Sequence, residues 1–233
     1  MRIAILMAGG NIHGRMVLEA LLSAGIAVDL VIDETGTPRA KKLGTWLAND
    51  IDQPRPMADL VQNSGCEYVE VQHFHGADSK VALDRFSADY IVNGGCGILK
   101  ADFLGLARRG FLNAHPGLLP EFRGVDPVFW AVAEDAEVGA TVHTMTEGID
   151  EGPILLREPL DPLPKIRSVL ELRLACMRHG AALLATVLLN PDAFPAQPQD
   201  QRRARYFGAF PPDRYAAIEA KLDRRILLRR DVL

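Results

Sequence analysis

Cysteine is scarce. Cys66, Cys96 and Cys176 are scattered and form no CxxC pair, which argues against a disulfide framework and for a reduced, cytoplasmic compartment. The apolar run Ile3 to Ala8 is short and ends in Gly9-Gly10, so it does not read as a signal peptide. No apolar run has the length of a membrane span, and no membrane partner is expected. There is no internal repeat and no low-complexity tract. A surplus of positive charge is also missing. The formal net charge is -4, which argues against a general nucleic-acid binder and makes nucleic acid an unexpected partner. His73 and His75 share a strand face, as metal ligands could, but no second cluster with ligand spacing accompanies them, so no metal is expected.

What is present suffices for a full core. The 233 residues allow one larger domain, or one domain with an appendage. Charge is unevenly spread. Residues 201–233 hold nine Lys/Arg against four Asp/Glu, which leaves a net -9 over the rest. That basic end is either a solvated tail or an element facing phosphate or a subunit, and a homodimer is left open.

Strand-like and helix-like segments alternate. Arg2 to Ala8 reads as a buried strand, Met16 to Leu22 as a helix ending near Gly25, and Ala27 to Ile32 as a second strand. Thr35 to Met57 reads as loop, with a short helix near Ala40 to Ala48. Further strands are expected at Glu67 to Val71, Tyr90 to Asn93 and Phe111 to Ala114. Helices are expected over Val81 to Phe86 and Pro127 to Glu134. Thr141 to Met145 and Ile154 to Glu158 read as a strand pair, followed by a long apolar helix from Ser168 to Leu189. After the Pro-rich stretch from Asn190 to Gln199 come a short Tyr206-Phe207 strand, a Pro211-Pro212 break and a helix from Asp213. The order predicts an α/β fold: a Rossmann-like, mostly parallel twisted sheet flanked by helices, with a mixed edge. The expected division is a catalytic domain over 1–190 and a C-terminal appendage over 191–233.

The loop Gly9-Gly10-Asn11-Ile12-His13-Gly14 follows the first strand and precedes a helix, where a phosphate would sit. Its spacing nearly matches GxGxxG, and Asp33 lies 19 residues beyond Gly14. An NAD(P)-dependent oxidoreductase is therefore a competing class. Asn11 stands where the second glycine must let the backbone approach a pyrophosphate, which weakens that reading. A tight turn or an acceptor-phosphate loop remains.

The segment Phe111-Leu-Asn113-Ala-His115-Pro-Gly-Leu-Leu-Pro120-Glu-Phe-Arg123-Gly124 carries more chemistry. Residues two apart on a strand face the same way, so Asn113 and His115 point together, and Pro116 keeps His115 extended. Two donors converging at a strand end can form an oxyanion hole. Asp150 follows in Thr146-Glu-Gly-Ile-Asp-Glu-Gly-Pro153. A carboxylate there can orient His115, directly or through water, and take a proton. The bland alternative is a turn aspartate between two strands. His143 is a lesser candidate, since a packed strand position explains it equally well.

These segments resemble the folate-dependent formyltransferase family. Asn113-x-His115-Pro-Gly-Leu-Leu-Pro120 looks like its Asn-x-His segment. Gly139-x-Thr141-x-His143 leading to Asp150-x-Gly152-Pro153-Ile154 looks like its aspartate loop. The resemblance is strong from Tyr90 to Leu160 and weaker back to Met1. It implies that Asn113, His115 and Asp150 are catalytic and that the formyl donor is 10-formyltetrahydrofolate. It places folate against Cys96, Gly97, Ile98 and Leu99, with Ile149. The acceptor amine would meet Gly9, Gly10, Asn11, Arg123, Gly124 and Trp130. Arg123 to Trp130 looks most like sugar N-formyltransferases and methionyl-tRNA formyltransferases, so the expected acceptor is a small-molecule amine, a nucleotide-linked amino sugar first. Glycinamide ribonucleotide, another small amine, or hydrolysis of the donor are alternatives. Two departures stand out. The first loop lacks the purine enzyme's Asn-Gly-Ser-Asn phosphate cradle. Nothing looks like the additional C-terminal domain of methionyl-tRNA formyltransferases.

Overall fold

The computed structural model describes residues 1–38, 57–62, 64–160 and 166–230. The helix expected near Ala40 to Ala48 lies outside the described residues. The strands are β1 (Ile3–Ala8), β2 (Leu30–Glu34), β3 (Glu67–Val71), β4 (Tyr90–Gly94), β5 (Gly110–His115), β6 (Arg123–Gly124), β7 (Gly139–Thr144), β8 (Ile154–Pro159) and β9 (Tyr206–Phe207). The helices are α1 (Ile12–Ser23), α2 (Met57–Gln62), α3 (Ala77–Phe86), α4 (Ala101–Leu104), α5 (Pro127–Ala133), α6 (Val169–Leu189) and α7 (Tyr215–Arg230). Seven strands form one sheet in the order β3-β2-β1-β4-β5-β7-β8, and β6 pairs with β9 separately. The chain divides into two compact units, residues 1–113 with 144–147 and residues 114–143 with 148–233. The expected appendage falls inside the second unit.

In the first unit β1 pairs in parallel with β2 and β4, and β4 with β5. Every residue of β1 and β2 is buried, as parallel strands covered on both faces require. That is why these segments are near-continuous apolar runs rather than alternating ones. Ala4, Leu6, Ile32, Leu83, Ile91, Phe103 and Phe111 pack into one core.

The turn from β1 into α1 is built by side-chain bonding. Asn11 caps α1: its Oδ1 accepts from Gly14 N at 3.1 Å. Its Nδ2 donates to Gly94 O at 2.8 Å and Ala8 O at 3.2 Å. Asn11 thus ties the helix start to the end of β4. Gly14 lets α1 lie close to that strand, because a Cβ there would stand 2.8 Å from Gly94 O and 2.2 Å from Met7 Cε. Gly14→Ala is expected to lower stability by roughly 1–3 kcal/mol through overpacking, outweighing the helix-propensity gain of about 1 kcal/mol. Denaturant unfolding of both proteins checks this.

The second unit is built on the antiparallel pair β7–β8, with an irregularity between Val142 and His143. Ser168 and Glu171 form a reciprocal capping box at the start of α6. By length and composition α6 could cross a membrane, a property the apolar-run count missed. Here Leu172, Leu184, Val187 and Leu188 are buried within the fold. Helix α5 follows Asp126, whose carboxylate accepts from Arg173 Nη2 at 2.5 Å and Phe210 N at 3.0 Å. Phe129, Phe210, Ile218 and Leu222 join α5 and α7 in a second core. The basic C-terminal stretch is substantially ion-paired: Arg202 with Asp200, Arg203 with Glu121, Arg205 with Glu134 and Lys221 with Asp135. Such exposed pairs add little stability each.

Candidate active site

Three titratable side chains meet in the second unit. His115 closes β5, His143 sits on β7, and Asp150 occupies the loop between β7 and β8. Asp150 has φ +53°, in the left-handed region, which aspartate enters more readily than most residues. Its Oδ2 accepts from Gly124 N at 2.8 Å and lies 3.5 Å from His115 Nδ1. Its Oδ1 lies 3.6 Å from His143 Nε2. The imidazoles are 3% and 2% exposed. The carboxylate is therefore flanked by two rings in a region nearly closed to water.

The protonation pattern follows from these partners. His115 Nε2 stands 2.7 Å from Phe122 O. A carbonyl oxygen only accepts, so Nε2 carries the proton, and a neutral His115 presents the Nδ1 lone pair toward Asp150. Burial lowers the His115 pKa below its ordinary 6.5; the Asp150 charge and the Phe122 carbonyl oppose this without cancelling it. For Asp150, burial works to raise the pKa. The His115 and His143 imidazoles and the Gly124 N–H outweigh it, and the carboxyl is held well below its usual range. At neutral pH the arrangement is an anionic carboxylate beside a neutral imidazole. A proton arriving between Nδ1 and Oδ2 would be held by both, so the pair can take a proton from a nearby nucleophile.

The Pro-Gly-Leu-Leu-Pro segment after His115 is fixed from β7. Thr141 Oγ1 donates to Gly117 O at 2.8 Å and accepts from Leu119 N at 3.1 Å. A Cβ on Gly117 would stand 2.9 Å from His115 Nε2 and 2.6 Å from Pro127 Cβ, so only glycine fits beneath the ring. The Leu119–Pro120 peptide is cis. In the first unit, Asn113 sits on β5 opposite Asn93 and is 7% exposed.

The expected folate segment also lies in the first unit. Gly95 and Gly97 have φ of +92° and +89°, and Asn93 Oδ1 accepts from the backbone N–H groups of both Gly95 and Cys96. The resulting tight turn leaves Cys96 and Leu99 buried and Ile98 71% exposed. In the second unit Ile149, beside Asp150, is 48% exposed.

The residues expected at the acceptor have other duties in the fold. Gly9 N donates to Glu34 O at 2.9 Å and Gly10 N to Asp33 Oδ1 at 3.2 Å. Asn11 uses its amide in the turn described above. Arg123 is 1% exposed, with Nε and Nη2 donating to Gln199 Oε1 at 3.1 and 2.7 Å and Nη1 to Tyr206 Oη at 3.2 Å. Gly124 supplies the N–H that binds Asp150. Trp130 Nε1 donates to Gly208 O, and its ring stacks on Phe207 and meets Phe210 edge-on. The His75 ring packs edge-on against Phe103. Among the described residues no group of three or more His, Cys, Asp or Glu side chains is placed to hold a metal.

Two residues beside the carboxylate stood out weakly or not at all in the sequence. His143 had a packed strand position as an equal explanation. Its link to Asp150 depends on the loop returning to β7. Gln199 lies 49 positions from Asp150 in a Pro-rich stretch, and no local spacing connects them.

Comparisons with known proteins bear on the family and the fold. The sequence profile of the family described as Formyl transferase matches residues 1–186. The methionyl-tRNA formyltransferase of Deinococcus radiodurans is 35% identical over 82% of this chain and 58% of its own length. That of Aromatoleum aromaticum is 32% identical over 88% of this chain and 63% of its own. The chain thus spans about 58–63% of the length of these curated relatives. Among solved structures, a sugar N-formyltransferase from a Shewanella species superposes with TM-score 0.62 at 17% identity, over 89% of this chain and 76% of that one. Glycinamide ribonucleotide transformylase 1 from Symbiobacterium toebii gives 0.63 at 20% identity, over 86% and 94%. A left-handed aspartate held against the histidine of an Asn-x-His-Pro-Gly strand end, a mostly parallel sheet, and a profile match over most of the sequence lead to one conclusion: this chain belongs to the Formyl transferase family.

Proposed function

We propose that the protein transfers a formyl group from 10-formyltetrahydrofolate to a primary amine. The observation that carries this reading is the buried His115–Asp150 pair, with Asn113 two residues upstream of His115 on β5. The donor supplies an activated formyl carbon and a tetrahydrofolate leaving group. A neutral amine attacks that carbon. Asn113 donates from its amide to the formyl oxygen as negative charge develops there. The amine proton passes to the space between His115 Nδ1 and Asp150 Oδ2, where the anion and the imidazole both stabilise it. The pair then returns the proton to the departing folate nitrogen, so the enzyme ends as it began. His143 sets the other side of Asp150. The Cys96, Gly97, Ile98 and Leu99 turn would receive the folate ring. An N-formyltransferase from Helicobacter canadensis, solved with folinic acid and dTDP-3-aminofucose, shares the fold at TM-score 0.59 and supports that donor class.

The acceptor is the finer question. Relatives at 30–38% identity are named for methionyl-tRNA, which favours an aminoacyl amine. The nucleotide-linked amino sugar, first on the sequence, is the second reading; it rests on fold neighbours at 16–17% identity. Incubation with 10-formyltetrahydrofolate and a panel holding methionyl-tRNA, dTDP-amino sugars and glycinamide ribonucleotide, with products read by mass, separates these. Formylation of none of them, with tetrahydrofolate still released, would identify a hydrolase.

The Gly9 to Gly14 loop gives a further expectation. Its first two amides and the Asn11 side chain are bonded within the chain, so neither oxidised nor reduced nicotinamide dinucleotide should bind, whereas folate should. Calorimetry with both ligands checks this. Tight nicotinamide binding without folate binding would remove the formyltransferase reading.

A further inference from the structure

The Asp150 loop is gripped from a segment far along the chain. Gln199 is 8% exposed, and its Nε2 donates to Asp150 O at 2.8 Å and Gly152 O at 2.7 Å. Its Oε1 accepts from both Nε and Nη2 of the buried Arg123. The residue after Arg123 is Gly124, whose N–H holds the Asp150 carboxylate. A single side-chain amide thus bonds the backbone on both sides of Glu151 and the guanidinium that precedes the carboxylate's own donor. Gln197 adds a two-bond bridge to Ile154, so the segment carrying Gln199 runs beside the end of the same loop. Asp150 gains from such a hold. Aspartate tolerates the left-handed region better than most residues, yet ordinary backbone geometry is more populated, so bonds to its carbonyl and side chain favour the observed turn. Gln199 lies beyond the family-matched residues and outside the expected site.

We propose that Gln199 is a positioning residue for the reaction: it locks the Asp150 loop in its left-handed turn and so keeps the carboxylate against His115. Its donors fix the Asp150 and Gly152 carbonyls, and its acceptor keeps Arg123, and with it Gly124, in register. Arg123 is the second half of this clamp rather than an acceptor-binding surface cation. The kinetic consequence rests on the formyl-transfer reading; the positioning itself does not.

Gln199→Glu separates positioning from plain filling of a buried site. Glutamate still accepts from Arg123, with added charge assistance, but cannot donate to the two carbonyls. Two readouts are taken. One is amide hydrogen exchange at Gly124, whose N–H bonds Asp150 directly, with β7 amides as the internal reference. The other is kcat, KM for folate and melting temperature. We expect Gly124 exchange to rise at least roughly tenfold over the β7 amides. We expect kcat to fall roughly 10- to 100-fold with KM little changed, as for a misplaced catalytic group. The melting temperature should fall, because two buried or part-buried carbonyls lose their donor; a purely structural loss would leave kcat of the folded protein at the parental value. Parental Gly124 exchange and parental kcat in Gln199→Glu would overturn the proposal, since satisfying Arg123 would then be the whole role of Gln199. If Gln199→Glu does not fold, Gln199→Met carries the same exchange test, and parental protection of Gly124 there overturns the proposal. If Gly124 loosens as expected but the parent formylates no amine, the positioning role stands and the formyltransferase reading fails.

Discussion

Asn113→Ala should lose roughly 100- to 1,000-fold in turnover, about 3–4 kcal/mol of transition-state stabilisation, with little change in folate affinity. The amide would donate to charge that exists only as the amine attacks, so its removal spares ground-state binding. Asn113→Asp should be at least as harmful, because a carboxylate there repels the developing negative charge instead of donating to it. A packing role leads elsewhere. Asn113 is 7% exposed and sits opposite Asn93, so a purely structural asparagine would show its loss in melting temperature. Turnover, folate affinity and melting temperature of both variants decide. Near-parental turnover in Asn113→Asp would show that no oxyanion donor is built on this residue.

The second large effect is expected at Asp150. Asp150→Asn keeps the size and removes the charge, and turnover should fall roughly 100-fold or more while folate still binds. Two pH effects accompany it. The Asp150 charge opposes the burial-driven fall of the His115 pKa, so its loss lets His115 titrate at still lower pH. The acid limb of the residual activity should therefore move down. Stability changes on the acid side as well. Asp150 is held below its ordinary 3.8, so its contribution is fully present above that pH and is lost as pH falls through the depressed folded value. The variant lacks that loss, and its unfolding free energy should depend less on pH below about 4. Urea unfolding across pH for both proteins measures this. Equal turnover in variant and parent would remove Asp150 from the mechanism.

The site was partly legible because some of its parts are local. Asn113 and His115 share one strand, and alternation with a following proline places them without knowledge of the rest. Asp150 was legible as a carboxylate beside glycines, but its left-handed backbone was not, since φ depends on what holds the turn. Arg123 shows the limit most clearly. Next to a catalytic-looking segment, an arginine reads as a cation for an acceptor. In the structure Gln199, 76 positions later, accepts from it in a buried site. Trp130 is similar: an indole that could line a pocket is stacked on Phe207 and bonded to Gly208.

The sequence by itself determined the alternating α/β order, the parallel start and the strand pair at the mixed edge, and it singled out Asn113, His115 and Asp150 as candidates for handling charge and protons. Apolar runs, turn glycines and strand alternation act over a few residues and leave their mark in local pattern. Tertiary structure alone decided the second imidazole at Asp150, the work of the Gly9 to Gly14 amides, and the Arg123–Gln199 clamp. Hydrogen bonds between residues tens of positions apart have no local signature. They arise because buried donors and acceptors must be paired wherever the fold brings them together.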